Sequence, residues 1–101
     1  MSTQTALTLR QNEINTWLAQ VLKTSSFDLA SASSDASFRR YFRVSLNGKT
    51  WILMDAPPEQ ENIAPFIKMA TFLFSQGVNA PQIYAQDSQL GFLLLTDFGA
   101  I

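Results

Sequence analysis

The sequence contains no cysteine and no histidine among its 101 residues. Without cysteine the chain can form no disulfide and offers no thiolate as a nucleophile or ligand. Without histidine it lacks the commonest metal ligand and the side chain that most often serves as a general base near neutral pH. Thiolate chemistry and catalytic triads built on imidazole are therefore excluded for these residues.

The sequence also has no large excess of one charge sign and no long apolar run. The net charge is −1, so no long-range field attracts nucleic acid or an anionic membrane. Apolar stretches such as Phe92–Leu95 are far too short to span a bilayer. Residues 1–13 lack the basic and apolar regions of a secretory signal. These features predict a cytoplasmic protein that binds neither nucleic acid nor membrane.

What the sequence does contain is the composition of a folded domain. Hydrophobic residues make up 47% and charged residues 15%, which is typical of a globular core and not of a disordered tail. The length is sufficient for one compact domain and too short for two. We expect a flexible tail over residues 1–8, which carry no apolar periodicity, and a single lobe over residues 9–101.

Apolar residues recur at helical spacing in two places. The capping-box pair Thr8 and Gln11 precedes the first stripe and predicts a helix over about residues 9–23. The second stripe ends near Gly77, which fits a helix C-cap. The two stripes consist of Ile14, Trp17, Leu18, Val21 and Leu22, and of Ile63, Phe66, Ile67, Ala70, Leu73 and Phe74.

Strand patterns occupy most of the remaining chain, over residues 27–32, 37–46, 49–56, 82–86 and 92–96. Asn47 and Gly48 tolerate the positive φ of a type I′ turn, so they predict a hairpin between the second and third strands. The order α, β, β, β, α, β, β predicts an α+β fold. Its simplest architecture is a largely antiparallel sheet of about five strands, covered by one long helix and preceded by another.

Residues 33–44 (SSDASFRRYFRV) join a loop of small residues to a strand rich in arginine and aromatic side chains. Backbone N–H groups in such a loop form an anion-binding nest, and guanidinium groups bind phosphate oxygens in bidentate fashion. The plainer interpretation is an ordinary loop and strand whose arginines lie on the solvated face. Arginine interleaved with aromatic residues is also typical of RNA stacking, which the near-neutral charge and the short patch argue against.

Two acidic features invite a functional interpretation. Glu59 and Glu61 stand just before or at the start of the second predicted helix, where the favoured interpretation is an interaction with the helix dipole. Alternatively, one of them pairs with a basic residue near a nucleotide phosphate, as a helix glutamate does in protein kinases. Asp97-Phe98-Gly99 has the letters of the kinase metal-binding motif, but no His-Arg-Asp-x-x-x-x-Asn loop precedes it. Asp97 is instead expected to end a strand and to bond its own backbone.

Taken in order, these segments resemble the aminoglycoside phosphotransferase-like kinases, whose fold is two-lobed and similar to that of protein kinases. The resemblance covers about residues 10–101 and is carried by SDASFRRYFRV, WILMDAPPE, NIAPFIKMATFLFSQGVNAPQIYAQD and GFLLLTDFG. Within the family, SDASFRRYFR followed by a strand ending in MDAPPE looks most like the bacterial cell-wall sugar kinases. Those enzymes phosphorylate the anomeric hydroxyl of N-acetylmuramate and N-acetylglucosamine.

The resemblance implies that the chain is the ATP-binding N-terminal lobe of such a kinase and that it ends at the hinge. Residues 34–37 match the loop over the nucleotide phosphates, and residues 95–99 match the hinge, whose backbone would bond the adenine edge. Ile52 and Leu94 would contribute to the apolar adenine pocket. The implied nucleotide-binding residues are Ser34, Asp35, Ala36, Ser37, Phe38, Arg40, Ile52, Leu95, Thr96, Asp97 and Phe98.

One position departs from the pattern of the wider fold. The third strand normally carries a lysine that binds the α- and β-phosphates, whereas residues 51–55 (WILMD) contain no basic residue. Either Lys49 is differently registered, or one of Arg39, Arg40 and Arg43 supplies the charge. Strand alternation places Arg40 with the apolar residues, pointing inward, and the other two arginines on the opposite face. Arg40 is therefore the candidate that the sequence favours.

The resemblance also implies where the remaining chemistry lies. In this family the base aspartate, its asparagine partner and the metal-binding aspartate belong to the C-terminal lobe, and no such segment occurs here. ATP is therefore the implied cofactor, with Mg²⁺ ligands only in that lobe, and the parent protein is expected to bind a sugar substrate. Apolar surface left without the second lobe is expected to favour self-association. The competing hypothesis is a stand-alone α+β binding or interaction module without nucleotide chemistry.

We predict that the purified chain has no phosphotransferase activity, because it contains neither the base nor the metal ligands that phosphoryl transfer requires. The measurement is a phosphotransferase assay with Mg-ATP and N-acetylmuramate or N-acetylglucosamine. Turnover above that of a protein-free control would contradict the prediction.

Overall fold

Two helices and five strands follow one another in the predicted order. The structure is a computed structural model, and it describes residues 3–34, 39–78 and 80–98. Within those ranges the elements are α1 (Thr3–Leu22), β1 (Asp28–Ser34), β2 (Arg40–Leu46), β3 (Lys49–Asp55), α2 (Ala64–Ser75), β4 (Ile83–Asp87) and β5 (Phe92–Thr96). The α+β class and the element order are therefore confirmed. Neither helix has the length and apolar content needed to cross a bilayer.

The five strands form one antiparallel sheet in the order β1-β2-β3-β5-β4. β2 and β3 pair without interruption from Arg40 opposite Asp55 to Leu46 opposite Lys49. The turn between them is the predicted one, since Asn47 and Gly48 have φ values of 52° and 82°. This hairpin fixes which β2 side chains share a face with which β3 side chains.

The two helices cover opposite faces of the sheet, called the α1 face and the α2 face below. Consecutive residues of β3 and β5 contribute to different apolar clusters, as strand alternation requires. Because both faces are covered, β3 and β5 each contain a continuous apolar run, Trp51–Met54 and Phe92–Leu95. The buried α1-face cluster comprises Ile14, Trp17, Leu18, Val44, Leu53, Phe92 and Leu94, and the α2-face cluster comprises Met54, Ala56, Ile63, Leu93 and Leu95.

Asp55, the last residue of β3, anchors α1 and β2 to the sheet. Its side chain has 0% exposure and accepts hydrogen bonds from Arg10 Nε at 2.8 Å and from an Arg40 terminal nitrogen at 2.7 Å. The Arg10 guanidinium also lies 4.3 Å from the centre of the Phe92 ring and donates to the Leu90 carbonyl. A buried carboxylate is tolerated only when it is paired and hydrogen-bonded. These contacts satisfy that condition.

Several predicted boundaries were wrong. α1 begins at Thr3, six residues before the predicted helix start at residue 9. Residues 3–8 include helix formers such as Ala6 and Leu7, and extending an existing helix costs little compared with nucleating one. β1 continues to Ser34, and β4 runs one residue later than predicted, to Asp87. The predicted start of the second strand at Ser37 lies outside the described residues.

We predict that Asp55→Asn lowers the free energy of unfolding by about 3 kcal/mol, because it removes the buried carboxylate charge that the Arg10 and Arg40 guanidinium groups share. The measurement is urea denaturation followed by circular dichroism. Glu59→Gln is the control, since Glu59 is exposed, and should change stability by less than about 0.5 kcal/mol. An Asp55→Asn variant as stable as the control would contradict the role assigned to Asp55.

Candidate functional site

The α2 face of the sheet is only partly covered by α2. Phe66 and Ile67 of the helix pack against the cluster that contains Met54, and Met54 has 0% exposure. Next to this covered region, Tyr41, Arg43 and Ile52 are half-buried. These three side chains define what is called the open face below. It is a shallow surface of apolar and cationic groups beside the helix.

Arg39 and Glu61 form an ion pair at one end of the open face. Arg39 Nε lies 2.8 Å from Glu61 Oε1 and 2.9 Å from Oε2, and a terminal nitrogen of Arg39 also contacts Oε1. The Arg39 guanidinium lies 5.5 Å from the centre of the Phe66 ring on α2. The hydrogen bond to Glu61 raises the pKa of Arg39 above its ordinary value. A permanent cation is therefore held in a fixed orientation next to the helix.

The pairing of Glu61 with Arg39 corrects the interpretation favoured from the sequence. Both Glu59 and Glu61 precede α2, whose first turn contains no acidic residue. For Glu61 the structure shows an ion pair with Arg39 in place of the favoured helix-dipole role. Of the alternative, the structure shows the pairing of Glu61 with a basic residue, Arg39; the nearby nucleotide phosphate stays a prediction. Sequence spacing could not reveal this contact, because it joins residues 22 positions apart.

Arg40 lies on the opposite side of the sheet from Arg39. Its guanidinium contacts the buried Asp55 and lies 5.3 Å from the centre of the Phe42 ring. Strand alternation correctly placed Arg40 with Phe42 and Val44. That face, however, is the one covered by α1, where Phe42 and Val44 join the apolar core. The inward-pointing arginine is thus held in a structural ion pair on the α1 face.

Arg43 and Asp97 form a second ion pair on the α2 face. Arg43 Nε lies 2.7 Å from Asp97 Oδ2, and a terminal nitrogen of Arg43 lies 3.2 Å from Oδ1. The side chain of Asp97 is 3% exposed and that of Arg43 is 33% exposed. The hydrogen bond to Asp97 raises the pKa of Arg43. Asp97 follows β5 as predicted, but its carboxylate also reaches across the sheet to β2, which the sequence did not indicate.

The other predicted site residues are only partly brought together. Ile52 and Leu95 are register partners on the α2 face, whereas Leu94 is buried in the core beneath α1. Thr96 accepts a hydrogen bond at its Oγ1 from the Gln82 backbone N–H at 2.9 Å, and the exposure of Phe98 is 52%. The backbone of Ser34 lies opposite that of Arg40 at the end of β1. Asp35, Ala36, Ser37 and Phe38 lie outside the described residues.

Carboxylates do not converge into a metal site in the part of the chain that the structure describes. No group of three or more aspartate or glutamate side chains there is close enough to hold a metal ion. Glu61, Asp55 and Asp97 are each engaged by arginine.

Comparison with known proteins gives this geometry a context. A family model described as the phosphotransferase enzyme family (APH) matches residues 28–100, which run from β1 past the end of β5. This chain belongs to that family. The resemblance to aminoglycoside phosphotransferase-like kinases, stated above from sequence motifs, is thereby confirmed.

Curated relatives within this phosphotransferase family share a name. The N-acetylmuramate/N-acetylglucosamine kinase of Pseudomonas aeruginosa is 44% identical over 100 residues, which cover 89% of this chain and 30% of the relative. The protein of that name from Pseudomonas putida is 55% identical over 71 residues, which cover 70% of this chain and 21% of the relative. The protein of that name from Neisseria meningitidis is 43% identical over 91 residues, which cover 89% of this chain and 27% of the relative. The chain thus spans less than a third of the length of each relative.

We predict that Arg39 and Glu61 stabilise the domain as a coupled pair. A double-mutant cycle with Arg39→Met and Glu61→Gln should give a coupling energy of about 1 kcal/mol, because the pair is bidentate and only partly exposed. The measurement is urea denaturation of the four proteins. A cycle with Arg39→Met and Glu59→Gln is the matched control and should give a value near zero. Equal coupling in the two cycles would argue against a specific pair.

Proposed function

We propose that this chain is the nucleotide-binding N-terminal lobe of an ATP-dependent sugar kinase. The complete protein would transfer the γ-phosphate of ATP to a hydroxyl group of an amino sugar, with N-acetylmuramate and N-acetylglucosamine as the acceptors that the names of the relatives suggest. A cytoplasmic location and Mg²⁺ as the partner of ATP belong to the same proposal. The observation that carries it is the Arg39–Glu61 pair at the end of the open face.

The pair has the chemical features of a phosphate clamp. In protein kinases, a lysine on the third strand binds the α- and β-phosphates and is held by a glutamate of the neighbouring helix. Here the third strand presents Ile52 and Met54 on the α2 face, and both are apolar. Arg39 is a cation on that face, and Glu61 next to α2 fixes its orientation. We therefore propose that Arg39 binds the nucleotide phosphates.

This assignment differs from the one that the sequence favoured. Arg40 remains a member of the predicted nucleotide-binding set. Its guanidinium, however, contacts Asp55 and the Phe42 ring, and both lie on the α1 face. To reach a nucleotide on the α2 face it would have to leave Asp55, a carboxylate with 0% exposure. Removing one partner from a buried ion pair costs several kcal/mol, about 3–5 in measured cases. Arg39 needs no such rearrangement.

The remaining contacts to the nucleotide follow from the same placement. Ile52 and Leu95 are adjacent on the α2 face and would form the apolar surface against the adenine ring. The backbone of residues 95–98 would bond the edge of the ring, and residues 34–38 would cover the phosphates. The described carboxylates do not fit a Mg²⁺ site, so the metal ligands and the base are assigned to a further part of the protein. The exposed side chains Met69, Phe72, Phe74, Val78, Tyr84 and Phe98 would let the isolated lobe self-associate.

We predict that Mg-ATP shifts the amide resonances of residues 39–43, 52 and 95–98 in the isotopically labelled chain. Arg39→Met should weaken this binding about tenfold or more, since a fixed cation next to a phosphate is lost. Lys68→Met is the control, because Lys68 is an exposed cation on α2, and it should leave the affinity unchanged.

The same substitutions test the complete product of the gene as an enzyme. Arg39→Met should lower kcat/KM for ATP about 100-fold, and Lys68→Met should not change it. If millimolar Mg-ATP perturbs no resonance of the chain and the complete product uses no ATP, the kinase proposal fails. A stand-alone interaction module would then be the better description.

A further inference from the structure

We propose that the Arg43–Asp97 ion pair positions the segment that bonds the adenine edge, and so sets the affinity of the site for the nucleoside half of ATP. This inference rests on the proposed function, because it concerns the same nucleotide site. Arg43 and Asp97 are here positioning residues, which act through the backbone of residues 95–98 and not on the transferred phosphate.

The Arg43–Asp97 ion pair crosses the sheet on the α2 face. Arg43 of β2 is the register partner of Ile52, and Ile52 is the register partner of Leu95. The three residues thus form a row across β2, β3 and β5 on the α2 face. Asp97 lies two positions beyond Leu95 and on the same face by alternation. The Arg43 side chain therefore reaches past Ile52, the proposed adenine surface, to the segment that follows β5.

The backbone pairing of β5 with β3 ends one residue before Asp97. β5 pairs with β3 as far as Thr96, which is opposite Trp51. A backbone hydrogen bond from the Thr96 N–H to the Gln82 carbonyl, at 3.1 Å, ties the end of β5 to the segment before β4. Asp97 is the first residue beyond this ladder. Its bidentate contact with Arg43 extends the attachment to the sheet by one residue, into the segment proposed to bond adenine.

Arg43 and Asp97 differ in how deeply they are buried. The carboxylate of Asp97 is 3% exposed, whereas Arg43 is 33% exposed. If Arg43 is removed, a nearly buried carboxylate loses a charged partner. Turning toward water would then lower the free energy of that carboxylate. Because Asp97 stands next to Thr96 and Phe98, that movement would displace the backbone donors and acceptors of the segment. Contacts to the base should weaken, while those to the phosphates should not.

Arg39 and Arg43 would then act on opposite ends of the same ligand. They are four residues apart, which is about 13 Å along an extended strand at roughly 3.3 Å per residue. That separation is comparable to the length of an extended nucleoside triphosphate. Arg39 with Glu61 lies next to α2, at the proposed phosphate end. Arg43 with Asp97 lies next to Ile52 and Leu95, at the proposed base end.

The experiment compares ATP with inorganic tripolyphosphate, which keeps the phosphate chain and lacks the base. With the complete product of the gene, Arg43→Met and Asp97→Asn should each raise KM for ATP about tenfold and change kcat less than twofold. The inhibition constant of tripolyphosphate should stay within twofold of the original value. Arg39→Met should instead weaken both ligands, and Lys68→Met should affect neither.

Two further variants separate positioning from simple loss of stability. Arg43→Lys keeps the charge but not the bidentate geometry, and should restore part of the ATP affinity. The exchanged pair, Arg43→Asp with Asp97→Arg, should recover more affinity than either of its single substitutions. Thermal denaturation of every variant identifies any that fails to fold. If Arg43→Met does not fold, the comparison of ATP with tripolyphosphate is made with Asp97→Asn, which keeps the size and shape of the side chain.

The outcomes distinguish this inference from the proposed function. If the unaltered protein neither binds nor uses ATP, both are overturned. If it uses ATP but Arg43→Met and Asp97→Asn leave KM within twofold, only this inference is overturned. Equal losses of ATP and tripolyphosphate affinity would also overturn it, because Arg43 would then be a phosphate ligand.

Discussion

Asp55 is a carboxylate without exposed surface at the end of β3, and guanidinium groups from α1 and β2 supply its counter-charge. The arrangement of both faces of the sheet depends on this contact. Arg10 brings α1 against the sheet, where its apolar stripe covers one face. Arg40 is thereby held on that same side. The opposite face is left to α2, which covers it incompletely, and the uncovered part is the surface on which a nucleotide is proposed to bind.

The short segment from Arg39 to Arg43 combines structural and functional roles because strand neighbours point to opposite faces. Arg40 serves the core, whereas Arg39 and Arg43 lie on the α2 face. Each of the three has a carboxylate partner on a different part of the chain, namely Asp55 of β3, Glu61 before α2, and Asp97 after β5. A guanidinium held in this way loses little further conformational entropy when it meets an anion, which favours a pre-formed site.

Local pattern was sufficient to predict the element order, the Asn47-Gly48 turn and the apolar stripe of α1, because each depends on neighbours in sequence. Alternation also gave the correct partition of Arg39 and Arg40 between faces. It could not show which face would remain open, since that depends on where α1 docks. The pairing of Glu61 with Arg39 and of Asp97 with Arg43 likewise joins distant segments. The phosphate-binding candidate therefore changed from Arg40 to Arg39 only when tertiary contacts were known.

The attachment of α1 has a consequence for the order in which the chain can fold during synthesis. α1 is made first, but Arg10 bonds to residues 45 and 80 positions later, and Trp17 packs against Phe92. The apolar stripe of α1 thus has no complete binding surface until β5 has left the ribosome. Until then it is an exposed helix with an apolar stripe in the nascent chain. Such segments are prone to aggregation and are typical substrates of chaperones that act during translation.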